Sequence, residues 1–167
     1  MSFATMLGGL RHKKVKFVVI GGVAAAAHGS SRVTNDLDIC YDAAAASNVG
    51  TLADLLAQWR AYPRGIEEGL PFIMDDPTLR NAPILTLTTS EGDIDVMDRV
   101  AGVGDYDAVR KHSEKISALG VSFRVLDLRS LIKAKRAAGR PRDFDHLPEL
   151  EALLQLRRKR PLGATAI

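Results

Sequence analysis

A chain of 167 residues, 46% apolar and 26% charged with a formal charge of +3, can bury one substantial core and leaves little room for a second. A single cysteine excludes an internal disulfide, no apolar run reaches bilayer length, and Met1 to Leu10 lacks the long hydrophobic centre of a secretion signal. The expectation is a cytoplasmic protein with no membrane partner. Charge is spread unevenly. Residues 129–160 hold ten Lys or Arg against four Asp or Glu, while the remainder is mildly acidic. We therefore expect one domain over residues 1–156 and a basic tail over 157–167, an asymmetry that favours phosphates or a polyanion.

Arg11 to Lys16 is a basic approach to a first strand, Val15 to Ile20. Gly21 and Gly22 follow, then a short alanine-rich helix from Val23 to His28 that Gly29 can close. Asn35 to Tyr41 alternates as a second strand. Ala43 to Gly50 is a small-residue connection, after which Thr51 is placed to cap a helix. Leu52, Leu55, Leu56 and Trp59 share one face of that helix and belong in the core. Tyr62 to Asn81 carries three prolines and two glycines and reads as loop. Ile84 to Thr88 and Asp93 to Met97 make a hairpin. Tyr106 to Leu119 is helical, Val121 to Leu126 a strand, and Ser130 to Ala138 a helix closed by Gly139. A last helix runs from Asp143 or Pro148 to Leu156. This order of strand, helix, strand, helix, hairpin and helices predicts an α+β fold, a small mixed β-sheet with packed helices, because the hairpin brings in antiparallel pairing.

The chemistry gathers between Gly21 and Asp38. On a strand, Asp36, Asp38 and Cys40 project from one face and Leu37 and Ile39 from the other. Two ionised carboxylates on one face resist burial unless they are paired or hold a cation. Asp93-Ile94-Asp95-Val96 repeats the pattern, and Asp95, flanked by apolar residues, is the expected third ligand. Three carboxylates suit Mg2+ or Mn2+, hard ions that keep open positions for phosphate oxygens. Gly21 and Gly22, without side chains, let a triphosphate approach backbone N–H groups at the helix start. Arg32, in the loop before the acidic strand, is placed to pair with phosphate or orient Asp36. Lys133 and Arg136, three apart, share one side of a late helix, with Lys133 the expected triphosphate contact. His28 is accounted for at a helix C-terminus, Cys40 as buried filler, and Arg140 with Asp143 as a closing ion pair. The reaction expected is transfer of a nucleoside monophosphate from an NTP, with Asp36, Asp38 and Asp95 catalytic.

Gly21-Gly22, then Asp36-Leu37-Asp38, then Asp95, resembles the pattern of the DNA polymerase beta-like nucleotidyltransferase superfamily. The string from Arg32 to Asp38 and the stretch from Leu131 to Asp143 resemble a small bacterial subgroup that includes nucleotidyltransferases of abortive-infection and toxin–antitoxin systems. The resemblance implies a magnesium-dependent, ATP- or other NTP-binding enzyme, with tRNA or other RNA, protein or a small molecule as acceptor. Gly22 stands where many members have Ser. A partner protein or a second copy is expected to help find the acceptor, since no acceptor-binding domain is evident. The alternative on the same residues is a catalytically degenerate module that binds nucleotide, RNA or protein.

Overall fold

The structure is a computed structural model that describes residues 2–159. In chain order the elements are α1 (Phe3–His12), β1 (Phe17–Ile20), α2 (Gly21–Ala27), β2 (Asp36–Tyr41), α3 (Ala46–Gln58), β3 (Tyr62–Pro63), α4 (Asp76–Asn81), β4 (Ile84–Thr89) and β5 (Gly92–Met97). They continue as β6 (Arg99–Val100), β7 (Gly104–Asp105), α5 (Tyr106–Lys111), β8 (Ser113–Ala118), β9 (Val121–Leu126), α6 (Leu128–Ala138) and α7 (Pro141–Lys159). Seven strands form one sheet in the order β3-β4-β5-β2-β1-β9-β8, and β6 pairs with β7 apart from it. The pairs β2/β5 and β1/β9 are parallel; β1/β2, β3/β4, β4/β5 and β8/β9 are antiparallel. This is the mixed sheet that the sequence predicts.

The central strands β1 and β2 are the most buried, and Val18, Val19, Leu37, Ile39 and Cys40 are fully buried. Leu52, Leu55 and Leu56 of α3 join the same core, with Trp59 just beyond that helix. No helix among the described residues is long and apolar enough to cross a membrane.

Five stretches differ from the sequence reading. Phe3–His12 is a helix, capped by the Ser2 hydroxyl and buried through Met6, Leu7 and Leu10. Thr51 does not cap α3, which begins at Ala46; its hydroxyl instead donates to the Ser47 carbonyl inside the helix. The deciding contact is tertiary. Buried Asn48 accepts from Lys16 N–H at 2.7 Å and donates to the Lys16 and Asp42 carbonyls, fastening the first turn to the ends of β1 and β2. The loop 62–81 contains β3 and α4, the latter capped by Asp75. Tyr106 to Leu119 is not one helix: α5 ends at Lys111 and β8 follows as an edge strand. Leu119 and Gly120, both at positive φ, make the tight turn into β9. Finally, α7 carries Arg157, Arg158 and Lys159 as helix to its described end, and the rest of the expected tail, 160–167, lies outside the described residues.

Candidate metal and nucleotide site

Parallel pairing of β2 with β5 sets Asp36 beside Asp93 and Asp38 beside Asp95. Adjacent strands lie about 4.8 Å apart, so like-facing carboxylates crowd. The alternate residues Leu37, Ile39, Ile94 and Val96 are buried on the other face and lock this register. One oxygen from each of Asp36, Asp38 and Asp95 lies within 4.8 Å of the other two. Asp93 stands outside this group and accepts instead from the Thr88 hydroxyl at 3.0 Å.

Electrostatics match the geometry. Burial, then the charges of Asp36 and Asp95, push the Asp38 carboxyl up to about 8, although the Gly22 N–H bond works against them. Burial also raises Asp95, opposed chiefly by Arg64. Three converging carboxylate oxygens, two of them on groups whose ionisation burial disfavours, are a donor set for a hard cation, and the residues present fit one.

Gly21 is required here. Its φ is +62°, and a Cβ on it would stand 2.2 Å from Asp38 Oδ2. The helix after β1 therefore begins against the acid itself, with Ile20 as its N-cap and no preceding turn. A Cβ on Gly22 would meet Thr34 Cβ and Oγ1, both at 2.7 Å. The Thr34 hydroxyl donates to Asp36 Oδ1 at 3.2 Å. Thr34 thus occupies the space into which a serine at position 22 would project.

Arg64 is the residue that sequence reasoning missed. Its Nη2 donates to Asp95 Oδ1 at 2.7 Å, Nη1 lies 3.5 Å from Asp36 Oδ2, and Nε lies 3.4 Å from Asp93 Oδ2. It is placed by β3: Arg64 N–H donates to the Thr86 carbonyl, and Thr86 is the cross-strand neighbour of Asp95. A lone arginine in a Pro/Gly-rich stretch has no periodic signal. The available clue was the demand of four acids on two strands for a cation.

The other expected contacts are elsewhere. Arg32 donates to the Arg142 carbonyl at 3.2 Å, and the guanidinium beside Asp36 is that of Arg64. The Lys133 side chain is exposed and makes no hydrogen bond or ion pair among the described residues, while the Lys133 carbonyl abuts the turn at Gly102. Arg136 pairs with Glu151. Arg140 does close on Asp143, at 2.7 Å, joined by Lys135 at 3.3 Å. His28 is buried and donates through Nε2 to the Leu126 carbonyl, tying the end of α2 to the end of β9. Burial pushes the Cys40 thiol up to about 12, which leaves it inert.

The loop before β2 is held by α7. Glu149 accepts from the N–H and hydroxyl of Ser31 and from the Ser30 hydroxyl, which also meets His146 Nε2 at 2.9 Å.

No family model matches the chain, and no curated protein does. Solved structures do. A Thermotoga maritima protein that carries a nucleotidyltransferase assignment superposes with a TM-score of 0.52 at 16% identity, over 93% of this chain and 90% of its own. The chain has a nucleotidyltransferase fold. An antigenic nucleotidyltransferase-like protein from Paracoccidioides brasiliensis is 16% identical over 92% of this chain and 73% of its own, with a TM-score of 0.49. On the nucleotidyltransferase fold of this chain, the three carboxylates occupy neighbouring parallel strands next to the helix that opens at Gly21.

Proposed function

We propose that this chain is a nucleotidyltransferase of the DNA polymerase beta-like superfamily, moving a nucleoside monophosphate from an NTP to an acceptor hydroxyl. The observation that carries the reading is the convergence of Asp36, Asp38 and Asp95 beside a glycine-opened helix. Asp36, Asp38 and Asp95 would hold Mg2+ or Mn2+. Bound there, the metal supplies charge neutralisation for the triphosphate and a lowered pKa for the attacking hydroxyl. Asp95 accepts the hydroxyl proton, the acceptor oxygen bonds to the α-phosphorus, and the bond to the β-bridging oxygen breaks to release pyrophosphate. Arg64, already among the acids, would supply a further positive charge for the phosphates of a bound NTP. Gly21, Gly22, Arg32 and Lys133 are the proposed phosphate contacts. One domain, 1–156, carries these parts.

On the acceptor side, Leu70 and Ile73 are 60% and 73% exposed in the loop that follows Arg64, an apolar lip suited to recognition. The strings Arg32 to Asp38 and Leu131 to Asp143 support the abortive-infection and toxin–antitoxin branch, with tRNA, protein or a small molecule as acceptor and a partner or second copy as aid. The second reading, a nucleotide-binding module without turnover, is favoured by Arg64, whose guanidinium already neutralises the acids.

The test is calorimetry with each NTP, with and without Mg2+ or Mn2+, followed by labelled NTP offered to tRNA, lysate protein and a small-molecule extract. Metal-dependent binding with label in one fraction supports transfer. Binding without label supports the module. Metal-independent binding removes the triad from the site.

A further inference from the structure

We propose that the basic cleft at the end of β1 opposite the triad is a docking surface for the phosphate backbone of a nucleic acid. The cleft encloses about 640 Å³ where the end of α1, the start of β1, α5 and the β8/β9 hairpin meet. Its walls carry six Lys or Arg (Arg11, Lys14, Lys16, Arg110, Lys115, Arg124) against two acids, Asp42 and Asp107. Lys16 pairs with Asp42 at 3.9 Å, and Arg124 donates to Ser113. Among the described residues no carboxylate pairs with Arg11, Lys14, Arg110 or Lys115. Four exposed cations converging on one concavity repel one another, and an anion relieves that repulsion.

Lys14 adds an independent sign. It is the residue after the α1 C-cap, where the chain turns with the Val15 N–H returning to the Leu10 carbonyl. Its φ is +59°. That position favours glycine, yet here it holds a lysine that lines the cleft.

The character of the walls selects the ligand. Phe17, Tyr106 and Phe123 line the cleft but are 5%, 7% and 4% exposed, so no aromatic anchor is offered to a protein partner. The cleft is open and charged, whereas a small-molecule pocket encloses its ligand in apolar walls. Repeated phosphates along a flexible strand fit cations set on α1, the turn after it, α5 and β8. From Phe17 to Ile20, the residue paired with Asp38, β1 runs three steps of about 3.3 Å each. The cleft and the triad are separate sites on one sheet, and the proposal stands whether or not the triad turns over.

Binding of a fluorescent single-stranded oligoribonucleotide to the full chain, followed by anisotropy across a salt series, tests this. Duplex RNA and single-stranded DNA are further arms. In the triple variant Lys14→Glu, Arg110→Glu, Lys115→Glu, affinity is expected to fall at least about tenfold, and the log–log salt slope to shrink by about 2, near 0.7 per lost single-strand contact. Metal–NTP binding should not change. Lys14→Gly gives a second arm that removes misfolding as an explanation: it should melt higher than wild type, since glycine suits the turn, and still bind nucleic acid more weakly. Unchanged affinity and slope in both variants overturn the proposal. Displacement of the strand by polyglutamate or tripolyphosphate at equal charge also overturns it, because the cleft would then be a general anion site.

Discussion

Glu149 on the last helix takes two hydrogen bonds from Ser31, one from its N–H at 2.7 Å and one from its hydroxyl at 2.9 Å. These bonds clamp the loop that delivers Thr34 and Asp36 to the site. They also hold the Glu149 carboxyl down at about 2, chiefly through the Ser31 N–H. A depressed acid contributes stability that is complete above its unfolded pKa and is lost as pH falls through the folded one. The contribution of Glu149 should therefore be full above about pH 4.5 and vanish towards pH 2. Thermal melts of wild type and Glu149→Gln should converge as pH falls through that window. A constant gap between them would remove Glu149 as the source.

Asp38→Asn should abolish metal binding while keeping the fold. Burial and two neighbouring carboxylates make the charge at this position unfavourable without a cation, so the amide should melt at or above wild type in chelator. Turnover should drop by more than the roughly 100-fold that follows loss of a group behind a metal ligand. A variant that melts lower and still turns over would show that Asp38 serves packing.

Gly22 and Thr34 should be coupled. A serine at position 22 runs into Thr34, with Cβ contacts at 2.7 Å, and overpacking of this kind costs about 1–3 kcal/mol. Gly22→Ser alone should destabilise by that amount, and Gly22→Ser with Thr34→Ala should recover most of it. Urea unfolding of the four proteins in the cycle measures the coupling. Additive effects would mean the two side chains do not compete.

Removing Arg64 should expose the repulsion it offsets. Arg64→Gln leaves Asp36, Asp93 and Asp95 without their guanidinium, and loss of charged hydrogen bonds of this type costs about 1–3 kcal/mol. Mn2+ or Mg2+ should restore more melting temperature to the variant than to wild type, because the cation takes over the same task. Equal metal-induced shifts would place Arg64 outside the metal site.

Much of the site was legible because it is written in period two. Alternation on Asp36 to Cys40 and Asp93 to Val96 predicts which side chains share a face, and the parallel register brings those faces together. The strands Ile84–Thr89 and Val121–Leu126 were legible for the same reason. Arg64 was not, because its role depends on β3 pairing with β4, a contact of two residues with no local pattern. The helix α1 was hidden by Gly8 and Gly9, which depress propensity; a Cβ on Gly9 would stand 2.7 Å from the Trp59 ring, so the glycine serves close packing there. Edge strand β8, largely polar and with no buried residue, lacks the apolar alternation that reveals a strand.

The seating of β5 beside β2 also sets the order in which the protein acquires chemistry as it is made. A nascent chain that has emerged as far as Tyr41 holds two carboxylates and a glycine-opened helix, but not Arg64 and not Asp95. Both arrive with the later strands β3 and β5, and the clamp on Ser31 arrives only with α7. A cation that needs all three acids therefore has nothing complete to bind during most of synthesis, and its affinity is reserved for the finished fold. On the proposed metal site, divalent metal would act as a late selector, raising the population of chains in which the two distant halves of the sheet have joined.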